Sequence, residues 1–240
     1  MFQNNSTFQN NNNKNYSSLY YNKSTVCRGR LTKFQKQSIV NLFPFFGLSF
    51  QHKYINFIEI FNRESPIVVE IGFGTGDNLI NMAVNYPEKD FLGIELYLPG
   101  IAVCMHQAYI RNIKNLRVIF YNALEVIQFM VKDNQLNQVN IFFPDPWPKR
   151  KHHKRRMIQT SFISLIAKKL SDNGILHIAT DWKPYAIEII KYVKYNNLFH
   201  QLCIHDCYKF SVYSRLVTKF EKKGKNLGHE IFELLFQCIK

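Results

Sequence analysis

The sequence predicts an α/β fold built on a parallel, doubly wound sheet. Three observations carry that expectation. From Pro66 onward, short apolar strands alternate with segments of helical periodicity, five times over about 130 residues. The first strand runs into a glycine-rich turn. The unusual polar residues then fall at strand ends, where sheets of this kind hold their ligands.

The first strand, "IVVEIG", begins at Ile67 and precedes the helical pattern "NLINMAVNY". "DFLGIE" is the second strand, before "GIAVCMHQAYIRN", and "LRVIFY" the third, before "ALEVIQFMV". The fourth is "QVNIFF". Its helix is expected from about Lys154, where Ile158, Phe162, Leu165, Ile166 and Leu170 share one face. "GILHIAT" is the fifth, before "PYAIEIIKYV", and "HEIFELLF" reads as a final strand. Upstream, "IVNLFPFFGLSF" (Ile39–Phe50) is interrupted by Pro44 and Gly47 and reads as chain packed against the core. No repeat occurs and no linker follows residue 65, so residues 29–240 are expected to form one domain. Residues 1–28 are rich in Asn and Ser and lack the apolar region of a secretory signal. They can bury little surface and are expected to be a mobile arm.

The chain has 240 residues, 46% of them hydrophobic, which suffices for one such domain. Its net charge of +14 favours a polyanionic partner. No apolar run reaches the roughly 18 residues of a membrane span. Five cysteines, scattered and without a CxxC pair, suit a reducing cytosol. "CIHDC" (Cys203–Cys207) lacks a second ligand pair at zinc-like spacing, so no metal is expected.

In "EIGFGTGD", Gly72, Gly74 and Gly76 are spaced G-x-G-x-G, whereas the dinucleotide fingerprint places its third glycine one residue later. A nicotinamide is therefore disfavoured. Glu70 lies inside an otherwise apolar strand, where a carboxylate costs several kcal/mol unless it has partners. Glu95 ends the second strand, a place from which an acid accepts from ribose hydroxyls. The two acids with this loop fit S-adenosyl-L-methionine, which offers ribose hydroxyls, two cationic groups and no phosphate. Asn122, after the third strand, could contact adenine, cap a helix, or do both.

The fourth strand delivers "PDPW". Pro144 and Pro146 fix φ on both sides of Asp145 and supply no amide donors. Trp147 could stack on a base or pack. There follows a tract without any acid: Lys149, Arg150, Lys151, His152, His153, Lys154, Arg155 and Arg156. A targeting signal would be detachable, but this tract is tethered between a core strand and a core helix. Contact with phosphates is the better reading. Asp181 ends the fifth strand, and "TKFEKKGKNLGHE" brings Thr218, Lys219 and Glu221 with more cations.

These segments resemble the bacterial tRNA (guanine-N7-)-methyltransferases. The similarity runs from "GRLTKFQ" (Gly29–Gln35) to the end of the sequence, through "EIGFGTG", "FLGIELYLPG", "FFPDPWPK", "KRR", "ATDWKPY" and "VTKFEKKGKNLGHEIFELLF". "FFPDPW" together with "TKFE" and "GH" is far more specific than the glycine loop. The resemblance implies a cytoplasmic, Rossmann-like class I methyltransferase, its mostly parallel sheet flanked by helices on both faces. The implied cofactor is S-adenosyl-L-methionine, and the implied partner is tRNA, methylated at N7 of a variable-loop guanine. It implies Glu70, Glu95, Asn122 and Asp145 at the cofactor, with Asp145 also catalytic. Lys149, Asp181, Thr218, Lys219, Phe220 and Glu221 would meet the substrate. Lys151, His152, His153, Lys154, Arg155 and Arg156 would lie along the RNA. Asn122 stands where the family usually has Asp, and Pro148 where relatives often carry His.

Two rivals fit less well. Methyltransferases that alkylate an exocyclic amine present an amide or acid followed by Pro-Pro and an aromatic, not Asp-Pro-Trp with a basic tract. A non-enzymatic RNA-binding module would explain the charge, but not Glu70, Glu95 and the glycine loop together.

Overall fold

The computed structural model describes residues 31–202 and 215–240; the Asn-rich stretch and "CIHDC" lie outside them. Helix α1 (Lys33–Phe46) starts with a capping box. Thr32 Oγ1 accepts from the Gln35 amide, and Gln35 Oε1 accepts from the Thr32 amide. The helix runs through Pro44, which falls so near its end that little ladder is lost. It leads into a two-residue strand, β1 (Gly47–Leu48), and a one-turn helix, α2 (Phe57–Phe61).

The expected alternation follows. β2 (Ile67–Ile71), α3 (Asp77–Asn85), β3 (Asp90–Glu95), α4 (Leu98–Ile110), β4 (Leu116–Phe120), α5 (Ala123–Met130) and β5 (Leu136–Phe142) come first. After a 3₁₀ turn (Arg150–Arg155) come α6 (Thr160–Lys169), β6 (Leu170–Thr180) and α7 (Lys183–Lys194). β7 (Phe199–Gln201), α8 (Lys219–Asn226) and β8 (Phe232–Cys238) complete the described chain.

The strands form one sheet in the order β1-β4-β3-β2-β5-β6-β8-β7. β1 to β6 pair in parallel, and β8 lies antiparallel between β6 and β7. Successive strand residues point to opposite faces, so both faces are apolar and each is covered. Val68 and Phe91 pack with Leu42, Leu79, Ile101 and Met105 of α1, α3 and α4. Val69 and Leu92 pack with Ile127, Phe162, Ile166 and Ile189 of α5, α6 and α7. Full burial of each such side chain contributes about 1.5–3 kcal/mol.

β2 has β3 on one side and β5 on the other. The chain winds outward from β2 to β4, then returns to lay β5 on the other side of β2. This is the switch point, and its crevice opens at the carboxyl ends of β2 and β5.

One element differs from expectation. No α-helix starts near Lys154. The basic residues form a 3₁₀ turn, the chain is extended at Arg156, and α6 starts only at Thr160. Ile158 is still buried, but ahead of the helix, because Arg156 turns inward and draws this stretch onto the core.

Candidate active site

Each element of the switch-point crevice contributes a polar group at its strand end. Glu70 sits in β2 between Asn140 of β5 and Gly93 of β3 and is 3% exposed. Its Oε2 accepts from Asn78 Nδ2 at 2.7 Å. Burial pushes its carboxyl up to about 7, although Asn78 and Arg215 favour the ionised form. A buried carboxylate this short of donors is a place for a cation.

Gly72, Gly74 and Gly76 have φ of 73°, 60° and 80°, a left-handed run that side-chain-bearing residues resist. A Cβ added at Gly72 or Gly74 would meet nothing within 4 Å, so the loop presents open backbone to a ligand. Glu95 holds this loop. Its Oε2 accepts from the Gly74 amide at 2.7 Å, and its Oε1 from the Leu96 and Tyr97 amides at 2.6 and 2.9 Å. At Gly100 in α4 an added Cβ would lie 2.1 Å from the Gly74 carbonyl oxygen, so a glycine is required for the helix to close on the loop. Asn122 caps α5, its Oδ1 accepting from the Glu125 amide at 3.3 Å. One lone pair and the NH₂ group are left for a ligand. An open left-handed loop, a cation-seeking acid and an amide at the third strand end fit S-adenosyl-L-methionine.

The neighbouring strand end is built differently. Phe143 (φ 52°) and Trp147 (φ 43°) flank Pro144-Asp145-Pro146, both in the left-handed region. Such backbone costs on the order of 1–3 kcal/mol per residue and persists only where its surroundings enforce it. The Phe143 amide donates to the Ala179 carbonyl at 2.8 Å. On the far side, Arg156 Nε donates to the Pro146 carbonyl at 2.8 Å. Asp145, between these anchors, is exposed and accepts no hydrogen bond among the described residues.

Arg156 therefore corrects one expectation. By sequence it belongs to the tract expected along the RNA, but it is 3% exposed. Its guanidinium pairs with Glu188 and lies 4.7 Å over the Tyr185 ring. It braces the Asp145 loop from within. Lys149, Arg150, Lys151, Lys154 and Arg155 are exposed and form no ion pair among the described residues. His152 and His153 are half-buried. Trp147 packs into this turn, with the Arg155 guanidinium 5.0 Å over its ring and His152 edge-on at 5.9 Å.

Beyond β6, Asp181 faces His229 Nδ1 at 3.2 Å. Both line a cleft of about 260 Å³ that includes Trp182 and Phe232. Thr218 caps α8, its Oγ1 accepting from the Glu221 amide at 3.1 Å. Glu221, expected to face substrate, is 5% exposed and engaged, Oε2 with Arg215 at 2.5 Å and Oε1 with Lys225 at 2.6 Å. Its burial would raise the carboxyl, yet Lys225 and Arg215 hold it below the usual carboxylate range. The side chains of Lys219 and Phe220 lie outside the described residues.

Three further residues join these elements, and no local pattern in the sequence marks their partners. Arg215 donates to both oxygens of Glu233, at 2.7 and 2.6 Å, and sits 5.3 and 5.4 Å over the Phe142 and Phe143 rings. Its partners are scattered along the chain, so no local pattern signals it. Asn78 accepts from the Leu216 amide at 3.0 Å while donating to Glu70. A polar residue one turn before buried Met82, on the inner face of α3, was its available signal. His229 lay within a quoted motif but carried no role.

Comparison with known proteins places the chain among methyltransferases. A family model described as "Putative methyltransferase" matches residues 64–234. The tRNA (guanine-N(7)-)-methyltransferase of Buchnera aphidicola subsp. Acyrthosiphon pisum is 46% identical over 218 residues, 90% of this chain and 91% of that one. The protein of the same name from Photorhabdus laumondii is 44% identical over 213 residues, 89% of each chain. The crystal structure of the 16S rRNA methyltransferase KamB covers 78% of this chain and 95% of its own, with a TM-score of 0.54 at 10% identity; it shares the fold.

Proposed function

Since the chain belongs to the tRNA (guanine-N7-)-methyltransferase family, we propose that its crevice binds S-adenosyl-L-methionine and a variable-loop guanine of tRNA and methylates that guanine at N7. One juxtaposition carries the reading. A buried acid in need of a cation lies near the end of β2, an acid with no partner among the described residues follows the adjacent β5, and five cations with no ion pair among the described residues begin a few residues later.

The bound cofactor supplies an electrophilic methyl group on a sulfonium. Glu70, with its raised carboxyl, takes a cationic group of the cofactor. Glu95 and Asn122 orient the ribose and the adenine, and Glu95 also keeps the glycine loop in shape. Guanine N7 carries a lone pair and no proton, so no residue has to act as a base. The ring gains positive charge as N7 takes the methyl group, and a carboxylate held nearby lowers the barrier. Asp145 has that task, held by two prolines, Arg156 and a strand end, so that little reorganisation accompanies the reaction. Asp181 accepts from the guanine N1–H and exocyclic amine, which adenine cannot offer in that arrangement. Glu221 acts through Arg215, to which it is paired. Lys149, Lys151, Lys154 and Arg155 lie along the backbone phosphates, with His152 and His153 supporting the turn.

Incubation with methyl-labelled S-adenosyl-L-methionine and unmodified tRNA, followed by nucleoside mapping, tests the reading. Label in N7-methylguanosine is expected, with strand scission after borohydride and aniline. Label on an exocyclic amine, or none in RNA, overturns it.

A further inference from the structure

Asn78 uses both ends of its side-chain amide. Nδ2 donates to Glu70 Oε2 at 2.7 Å, and Oδ1 accepts from the Leu216 amide at 3.0 Å. The residue is 4% exposed. Its partners fix its orientation, since a backbone N–H can only donate and an ionised carboxylate can only accept. Leu216 is 138 residues from Asn78 in sequence and next to Arg215. Arg215 in turn holds Glu221 and Glu233 and lies over Phe142 and Phe143, the two residues before Pro144-Asp145. One short segment is thus tied at one end to the acid of the cofactor half and at the other to the loop and helix of the substrate half.

We propose that Asn78 is a positioning residue that couples the two binding events: occupation of the cofactor site tightens tRNA binding through the chain Glu70–Asn78–Leu216 and the Arg215 cluster. The inference rests on the functional reading above. A cation placed against Glu70 favours its ionised form, and a carboxylate accepts more strongly than a carboxylic acid. An amide that donates more strongly at Nδ2 also accepts more strongly at Oδ1, so the Leu216 amide is held more firmly. Ionised Glu70 and Arg215 attract one another as well. The coupling is reciprocal, so tRNA must tighten the cofactor by the same factor.

The test measures tRNA affinity with and without sinefungin, a non-reactive cationic analogue of the cofactor. The wild-type chain is expected to gain about fivefold in tRNA affinity when sinefungin is bound. In Asn78→Ala and Asn78→Leu that gain should shrink to about unity, while tRNA binding without the analogue changes less. An unchanged gain in folded Asn78 variants, or no gain in the wild type, overturns the proposal. Hydrogen exchange on the wild type gives a second reading that needs no variant. The Leu216 amide is expected to exchange more slowly with sinefungin bound, and equal exchange overturns the proposal. Normal formation of N7-methylguanosine with no coupling counts against this inference alone, whereas loss of that product overturns the functional reading and this inference with it.

Discussion

Glu70, on β2, and Asp145, in the loop after the adjacent β5, border one crevice and are treated in opposite ways. Glu70 is enclosed by the sheet, short of donors and pushed up to about 7. Asp145 is exposed and has no partner among the described residues, but its backbone is clamped on both sides. On the proposed reading, the cofactor half would gain a preference for a cation from desolvation of the side chain. The substrate half leaves the side chain in water and spends its order on the main chain. A site that takes a small cation can be enclosed, whereas a site that receives a folded polyanion has to stay open. There only the backbone can be organised beforehand.

The largest effect should come from the open acid. Asp145→Asn is expected to lower single-turnover methyl transfer by about 10²–10³-fold, with tRNA affinity nearly unchanged in a filter-binding assay. A loss confined to affinity would break the contrast. Next comes the basic turn. Replacing Lys151, Lys154 and Arg155 together by Ala should weaken tRNA binding by about 10–100-fold and flatten its salt dependence by up to about three units of log–log slope. Sinefungin affinity should stay the same when titrated by calorimetry without RNA.

The enclosed acid should show itself in pH dependence. A cation binds the ionised form of Glu70, so cofactor affinity should fall by about tenfold from about pH 8 to pH 6, and Glu70→Gln should remove that dependence. Without cofactor the sign is opposite. The raised carboxyl favours the protonated folded state, so its contribution is complete below about 4.5 and is lost as pH rises through about 7. Thermal melts of the free protein should record that loss, and saturating sinefungin should reverse it. The smallest change is expected from Asn122→Asp. Both residues cap α5 and both offer an acceptor, so cofactor affinity should shift by less than about threefold.

What the sequence made legible was local. The alternation of strand and helix could be read because Val68 and Val69, or Phe91 and Leu92, carry their two-faced pattern in adjacent letters. The glycine loop, Glu70, Glu95 and the Pro-Asp-Pro turn could be read because each owes its meaning to a strand end only a few residues away. Arg156 was misread because charge counting does not distinguish a guanidinium in water from one folded over Tyr185. Asn78 and Arg215 were missed because their partners come together only when the sheet closes. Glu221 looked like a free acid for the same reason, since Arg215 reaches it from outside its own helix. The position of β8 between β6 and β7 depends on which edge is free, and no single segment encodes that.

That inserted strand also imposes an order in time. β8 is synthesised after every other strand of the sheet, yet it fills the gap beside β6 and supplies Glu233, the bidentate partner of Arg215. A growing chain that has finished β6 already contains β2 to β5, whose ends form the switch-point crevice. It still carries an open strand edge, which invites pairing with other chains, and the carboxylate of Glu233 is not yet present. One short, late segment therefore both closes that edge and supplies the carboxylate that holds Arg215.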